Sequence, residues 1–268
     1  MLDLLQITND TAFAARCDAL AGMRFFVDLE SLGKADRQAG RNTFISTHRM
    51  ADVAAVRRVA SHSQLMVRIN PLHAGTTAEV EQVLAQGADL LMLPMFTVPQ
   101  ELHEFSRIVA GRCGIVPLLE TRAALECIGQ WIATPGLFEV FVGLNDLHIS
   151  MGLRFMFEPL ALGCLDEVAA QARAQGLRFG FGGIARLDEG LLPGRAVLGE
   201  HLRLGSSAVI LSRTFHRPDA QTPFEDEVRA LRQAERELAL RSAAQVADDA
   251  LRTREAIVAI AASMAPPR

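Results

Sequence analysis

Eight short and almost wholly apolar runs recur along the chain, and most are followed by a stretch with helical patterning. Near-continuous apolar runs of this length are typical of parallel strands that are buried on both faces. Strands that alternate with helices predict an α/β fold with a parallel sheet. The predicted strands are Leu4–Thr8, Phe25–Leu29, Leu65–Ile69, Leu90–Met95, Ile115–Leu119, Val140–Leu144, Phe179–Gly183 and Ala208–Ser212.

Two of the predicted helices carry a clear end signal. Ala78–Gln86 is followed by Gly87 and Val168–Gln175 by Gly176, and glycine at this position favours a helix C-terminus. Eight strands in such a repeat predict a closed (β/α)8 TIM barrel, for which about 250 residues is typical. An open doubly wound sheet is the alternative, because strand number alone does not show closure.

The end of the chain is longer than a barrel requires. Residues 224–264 form one extended helical pattern, so we expect a barrel over residues 1–218 and a C-terminal helical extension over 219–268. The extension is interpreted either as a last barrel helix with a frayed tail or as a helical arm that packs on a partner subunit. The second interpretation predicts a homo-oligomer.

Composition excludes several partners. The net charge is -4, tyrosine is absent and aromatic residues make up 6% of the chain, which disfavours nucleic acid as a partner. A membrane span is not expected, since no run reaches ~18 apolar residues. The N-terminus lacks the pattern of a signal peptide, and the four cysteines lack the spacing of a zinc site. We therefore expect a cytoplasmic protein with reduced thiols.

Lys34 is the only lysine in the chain. A Schiff-base mechanism needs a lysine amine. Lys34 lies in a polar segment where a lysine is normally solvated, so chemistry at a carbonyl group is expected to depend on a metal instead.

Acidic residues follow several predicted strands, where a barrel builds its active site. Asp28 and Glu30 end the second strand, Glu120 follows the fifth, and Asp146 follows the sixth. Such a concentration of negative charge is unfavourable unless a cation or protons offset it. Oxygen ligands without cysteine favour Mg²⁺ or Mn²⁺ over zinc. From spacing alone, strand-end capping or a salt bridge remains an equal alternative for Glu120 and Asp146.

Three further residues have two interpretations each. Arg68 suits a substrate carboxylate or enolate oxygen, or else an internal salt bridge to Asp28 or Glu30. His48 and His148 are the histidines nearest the expected barrel mouth, where each is a candidate general acid or base or a structural residue.

Five segments, in this order, resemble the HpcH/HpaI aldolase and citrate lyase β-subunit family of the phosphoenolpyruvate/pyruvate barrel superfamily. The similarity runs from about residue 23 to 215, and it implies a metal-dependent lyase that acts on a pyruvate-like keto acid through its enolate. The segments are Val27–Glu30, Val67–Asn70, Leu91–Pro94, Leu118–Thr121 and Gly143–Leu147.

The resemblance assigns roles at matching positions. Glu120 and Asp146 are implied to hold Mg²⁺ or Mn²⁺, and Arg68 to bind substrate oxygens. The same segments place Glu30, Pro94 and Asn145 among the residues expected to contact the substrate. The superfamily's exchange of a C-terminal helix between subunits favours the interpretation of the tail as an arm.

One position departs from the family pattern. Its pyruvate aldolases carry a histidine directly after the acid of the second strand, whereas this chain has Ser31. Proton transfer is then left to His48, His148 or a metal-bound water. Two other hypotheses stay open: an acyl-CoA lyase that uses Arg186 or Arg213 for the CoA tail, and a non-catalytic barrel that binds a small carboxylate.

Overall fold

The computed structural model describes residues 1–33, 47–216 and 222–265. Lys34 and the start of the segment that leads to His48 lie outside these ranges. Eight strands form a closed barrel in which they neighbour one another in sequence order. The strands are β1 Asp3–Ile7, β2 Met23–Asp28, β3 Gln64–Arg68, β4 Leu90–Leu93, β5 Gly114–Leu119, β6 Glu139–Val142, β7 Arg178–Ile184 and β8 Ala208–Leu211.

Helices follow the strands along the described part of the chain, and they are numbered here in chain order. A short 3-10 helix, Arg213–His216, follows β8. The α-helices are α1 Thr11–Cys17, α2 Met50–Val59, α3 Thr76–Ala85, α4 Pro99–Val109, α5 Arg122–Glu126, α6 Ile128–Trp131, α7 Leu144–Ser150, α8 Glu158–Ala161, α9 Cys164–Ala174, α10 Gly194–Leu204, α11 Phe224–Ala239 and α12 Ala243–Ser263.

The prediction of a closed (β/α)8 barrel is confirmed, and every predicted strand overlaps an observed one. The fourth ends at Leu93 instead of Met95. The sixth differs at its end, because the strand stops at Val142 and Leu144 already begins α7. Leu144 is buried as a helix residue. An apolar run therefore continues through the boundary, and apolar character alone does not mark where a strand becomes a helix.

The chain falls into two compact units, and the first comprises Leu5–Leu119 with Ala123–Val140. Strands β2, β3, β4 and β5 of this unit pair in parallel register. Arg24 at the start of β2 and Glu139 at the start of β6 form an ion pair of 2.9 Å, with side chains only 1% and 0% exposed. The sequence analysis did not anticipate this buried pair.

The second unit comprises Met1–Leu4, Glu120–Arg122 and Phe141–Arg268. Strands β7 and β8 pair in parallel, with an irregular register between Gly180 and Gly183. A side chain at Gly180 would meet the Phe141 ring and the Ala208 carbonyl at 2.8 Å, so close packing requires glycine there.

The C-terminal extension forms α11 and α12 within the second unit. Helix α12 begins with a capping box, in which the Ser242 hydroxyl accepts from the Gln245 backbone N–H and the Gln245 side-chain oxygen accepts from the Ser242 backbone N–H. It packs on α8 and α10 of its own chain. A boundary near residue 218 and contact with a partner subunit remain predictions.

None of the described helices is both long and apolar enough to span a bilayer. Three of the thiols are poor nucleophiles, since burial raises the pKa of Cys113 to about 11 and also raises the pKa of Cys127 and Cys164.

Candidate active site

Glu120 follows β5 directly and is buried, with 3% of its surface exposed. Its neighbour Thr121 is buried as well. The backbone N–H of Arg122 donates to the hydroxyl of Ser150 at 2.9 Å, which ties this loop to the end of α7. A buried carboxylate after a strand is costly unless a hydrogen-bond donor or a cation compensates it.

Asp146 lies in the first turn of α7 and is half-buried, as is Asn145 beside it. A carboxylate in the first turn of a helix interacts favourably with the helix dipole. The sequence analysis described Asp146 as a strand-end residue, whereas the structure places it on the helix that begins at Leu144. Glu120 and Asp146 belong to the same compact unit.

The donor chemistry of these two residues fits a hard divalent cation. Two carboxylates supply oxygen atoms alone and leave further coordination positions to water and substrate, which is how Mg²⁺ is usually held. Within residues 1–33, 47–216 and 222–265, no group of three or more His, Cys, Asp and Glu side chains is placed to hold a metal ion. A metal at Glu120 and Asp146 would therefore depend on these two carboxylates.

The ring of His148 forms a hydrogen bond within its own helix. Its Nδ1 lies 3.1 Å from the carbonyl oxygen of Leu144, and because a carbonyl only accepts, Nδ1 carries the proton. His148 and Asp146 are two positions apart on α7, so their side chains do not face each other.

In the first unit, Arg68 forms a two-pronged ion pair with Asp28. Nε and Nη2 of Arg68 each donate to one carboxylate oxygen of Asp28, both at 2.8 Å. Nη2 also lies 3.4 Å from Glu30, and the guanidinium stands over the Phe26 ring at 5.6 Å. The internal salt bridge considered for Arg68 is thus present, and it uses the edge of the guanidinium formed by Nε and Nη2.

His48 is anchored to the end of β2. The backbone N–H of Asp28 donates to Nδ1 of His48 at 3.1 Å. Because Nδ1 accepts, the neutral ring carries its proton on Nε2. His48 and His148 therefore have opposite tautomers, and His48 contacts one of the strand-end acids.

Ser31, which stands where the family's aldolases have histidine, is held by Asn70. The side-chain oxygen of Asn70 accepts hydrogen bonds from the backbone N–H groups of Ser31 at 2.9 Å and Leu32 at 3.0 Å. Glu79 in turn accepts from Asn70 Nδ2 at 2.8 Å. The sequence analysis missed this function of Asn70, although Asn70 ends one of the segments that carry the resemblance.

Pro94 is buried and directly follows β4. Met95 after it has φ 59°, a left-handed conformation that residues other than glycine rarely adopt. Such backbone strain is concentrated at functional sites. Of the predicted substrate contacts, Pro94 and Glu30 thus both lie where their strands end, and Asn145 lies on α7.

The sequence analysis considered Arg186 only as a contact for a CoA tail. It lies two residues beyond β7 and is buried, whereas Arg213 on the 3-10 helix is exposed. Its backbone N–H donates to Thr214 Oγ1 at 3.1 Å.

Comparison with solved structures supports this fold. The HpcH/HpaI aldolase of Desulfitobacterium hafniense DCB-2 is 18% identical with a TM-score of 0.61, over 79% of this chain and 86% of its own. A family protein from Burkholderia cenocepacia J2315 is 18% identical with a TM-score of 0.61, over 88% and 95%. The citrate lyase β subunit of M. tuberculosis, solved with oxaloacetate and magnesium, is 15% identical with a TM-score of 0.62, over 88% and 97%.

The fold and the acids that follow its strands define a parallel (β/α)8 barrel of the kind that carries enzymes. The family model for HpcH/HpaI aldolase/citrate lyase matches residues 26–181, more than half of the 268 residues. The chain belongs to this family, whose members are lyases and aldolases. A search of curated protein sequences finds no match.

Proposed function

We propose that this protein is a metal-dependent carbon–carbon lyase that cleaves or forms an aldol bond next to a pyruvate-like 2-keto acid. The observation that carries the proposal is the pair Glu120 and Asp146, which belongs to one compact unit of a chain in this family. The magnesium and oxaloacetate bound by the M. tuberculosis citrate lyase β subunit support the same ligand chemistry.

Glu120 and Asp146 would hold Mg²⁺ or Mn²⁺ through carboxylate oxygens. When bound, the metal supplies Lewis-acid stabilisation of the negative charge that develops on the keto acid as its enolate forms. Burial of Glu120 favours this function, because a carboxylate with few water contacts binds a cation more strongly than an exposed one.

Arg68 would add positive charge for the substrate oxygens. Asp28 holds its Nε and Nη2, so the guanidinium has a fixed orientation before substrate arrives. A preoriented donor stabilises developing charge without reorganisation during the reaction. The substrate would also contact Glu30, Pro94 and Asn145.

His48 is the better candidate for proton transfer. Its Nδ1 accepts a hydrogen bond from the Asp28 backbone, so Nε2 is the atom that would take part in proton transfer at the enolate or the leaving oxygen. It would replace the histidine that Ser31 displaces from the family position. His148 is the second candidate, with an unprotonated Nε2 when neutral.

A small keto or hydroxy acid is the expected partner, rather than nucleic acid or a membrane, and we further propose a cytoplasmic homo-oligomer. The chain has net charge -4, and no described helix spans a membrane. The net charge disfavours nucleic acid as a partner.

Turnover of a panel of 4-hydroxy-2-keto acids tests the function. We expect pyruvate release with Mg²⁺ or Mn²⁺, its loss with EDTA and in Glu120→Gln, and normal rates in the matched exposed variant Glu104→Gln. EDTA-insensitive release that survives Glu120→Gln would overturn the proposal. Preferential stabilisation by CoA esters in a thermal-shift titration would instead favour the acyl-CoA lyase.

A further inference from the structure

The backbone on both sides of Glu30 is held by hydrogen bonds to β3 and to the segment that follows β3. Before Glu30, the N–H of Leu29 donates to the carbonyl oxygen of Arg68 at 2.8 Å. After Glu30, the N–H groups of residues 31–32 both donate to Oδ1 of Asn70, at 2.9 and 3.0 Å. The path of the chain that carries Glu30 is therefore tied to two residues of the neighbouring strand end.

Glu79 on α3 determines which way the amide of Asn70 points. Oε1 of Glu79 accepts from Nδ2 of Asn70 at 2.8 Å and from its backbone N–H at 3.2 Å. Because a carboxylate only accepts, Nδ2 faces Glu79 and Oδ1 is left to face residues 31–32. The other oxygen of Glu79 lies 3.2 Å from Nε2 of His73, whose Nδ1 accepts from the backbone N–H of Gly75. The neutral His73 ring then donates to Glu79, so both carboxylate oxygens are engaged.

The hydrogen bonds from Asn70 to residues 31–32 contribute more to position than to stability. Ser31 and Leu32 are exposed, so water could satisfy their N–H groups in place of Asn70. Glu79, which orients Asn70, is only 11% exposed. A shielded carboxylate thus directs an amide towards two exposed N–H groups, and the result is a fixed path for the chain next to Glu30.

The position of Glu30 affects Arg68. The Glu30 carboxylate is buried, and its Oε2 lies 3.4 Å from Nη2 of Arg68. This contact is longer than the two bonds of 2.8 Å between Arg68 and Asp28, so it depends more on where the backbone of Glu30 runs. The distance between the two charges also sets how strongly Glu30 offsets the guanidinium that a substrate anion would meet.

We propose that Asn70, oriented by Glu79, is a positioning residue of the substrate site. By holding residues 31–32 it fixes the carboxylate of Glu30 relative to Arg68. The inference rests on the proposed function, in which Glu30 and Arg68 contact the keto acid. Asn70 and Glu79 act through Glu30 and take no part in bond cleavage.

Binding of oxalate in Mg²⁺ tests the positioning by isothermal titration, since oxalate is a planar anion similar in size to the enolate of pyruvate. Asn70→Ala should weaken oxalate binding by roughly 10–100-fold, because a misplacement of about 1 Å near a reacting group can cost that much. Titration of Mn²⁺ alone should give the same affinity in Asn70→Ala as in wild type.

A matched exchange of two side chains separates position from mere loss of packing. Asn70→Asp keeps an acceptor for residues 31–32 but turns its second oxygen against Glu79, and the two like charges repel. Adding Glu79→Gln removes the repulsion and supplies an N–H to that oxygen. We expect Asn70→Asp alone to weaken oxalate binding and the double variant to recover most of the loss. An equal loss in the single and double variants would overturn the inference.

Asp18 supplies a control at the opposite ends of the same two strands. It precedes β2, is buried, and accepts from the backbone N–H groups of Ser61, His62 and Ser63 just before β3. Asp18→Asn weakens this connection and should lower the melting temperature while oxalate affinity stays at the wild-type value. A loss of oxalate affinity in Asp18→Asn as large as that in Asn70→Ala would assign the effect to stability and overturn the inference.

Hydrogen exchange measures the backbone contact without any ligand. The amides of residues 31–32 should exchange faster in Asn70→Ala than in wild type, and unchanged exchange would overturn the inference. Unchanged oxalate affinity in Asn70→Ala, with a wild-type protein that binds oxalate, would do the same and leave the proposed function standing. A wild-type protein that neither binds oxalate in Mg²⁺ nor releases pyruvate would overturn both proposals.

Discussion

Arg68 and Asp28 are register partners on the neighbouring strands β3 and β2, and two hydrogen bonds of 2.8 Å join their side chains. The pair places a cation at a strand end in a fixed orientation while it neutralises part of the charge of two buried acids. Under the proposed function, stability and substrate binding therefore depend on the same guanidinium.

Replacement of Arg68 should destabilise the fold. Arg68→Met leaves Asp28 and Glu30 buried without their cation, and we expect a loss of about 3 kcal/mol in the free energy of unfolding. Urea unfolding measures this, with the exposed arginine variant Arg107→Met as the control. A loss below about 1 kcal/mol would show that the pair is not important for stability.

The two histidines should differ in function. His48→Gln removes the imidazole that Asp28 orients, and we expect kcat to fall by about 100-fold or more. His148→Gln should change kcat by less, since Nδ1 of His148 serves a helix carbonyl. Steady-state kinetics with pH profiles measures both, and the reverse order of effects would transfer the proton-transfer function to His148.

The buried pair Arg24 and Glu139 should show strong coupling. Arg24→Met or Glu139→Leu alone leaves a buried charge without its partner. We expect each to lower the free energy of unfolding by about 3–5 kcal/mol. The double variant removes both charges and should recover most of this loss. A double-mutant cycle in urea tests the coupling, and simple additivity of the two losses would contradict it.

Acid should weaken the protein through His201. This ring is fully buried, stacks on Phe181 with centroids 3.6 Å apart, and burial lowers its pKa from 6.5 to about 3. As the pH falls, the unfolded chain therefore binds a proton at a higher pH than the folded chain does. The contribution of His201 to the free energy of unfolding is fully present above about pH 6.5 and is lost as the pH drops towards 3.

The expected contribution of His201 is about 2 kcal/mol between pH 7 and pH 5. His201→Phe keeps a stacked ring without a titrating group and should reduce the slope of unfolding free energy against pH. The exposed residue His103 supplies the control His103→Gln. An unchanged slope in His201→Phe would assign the acid sensitivity to other groups.

The barrel was predictable because eight buried strands leave eight apolar runs in the sequence. The carboxylates were predictable by type and order, since strand ends collect polar residues in this fold. Three features were not. Glu139 pairs with Arg24 over 115 positions, Asp146 lies on a helix that continues an apolar run, and the burial of Arg186 depends on which neighbours its side chain meets.

Cation binding tests the central claim most directly. Isothermal titration of Mn²⁺ into the wild-type protein should show one site per chain. Because loss of an outer hydrogen bond alone weakens metal sites by roughly 10–100-fold, Glu120→Gln and Asp146→Asn should each weaken binding at least that much. Glu104→Gln should match wild type, and all three variants should melt normally without metal. Unchanged Mn²⁺ affinity in both Glu120→Gln and Asp146→Asn would contradict the account.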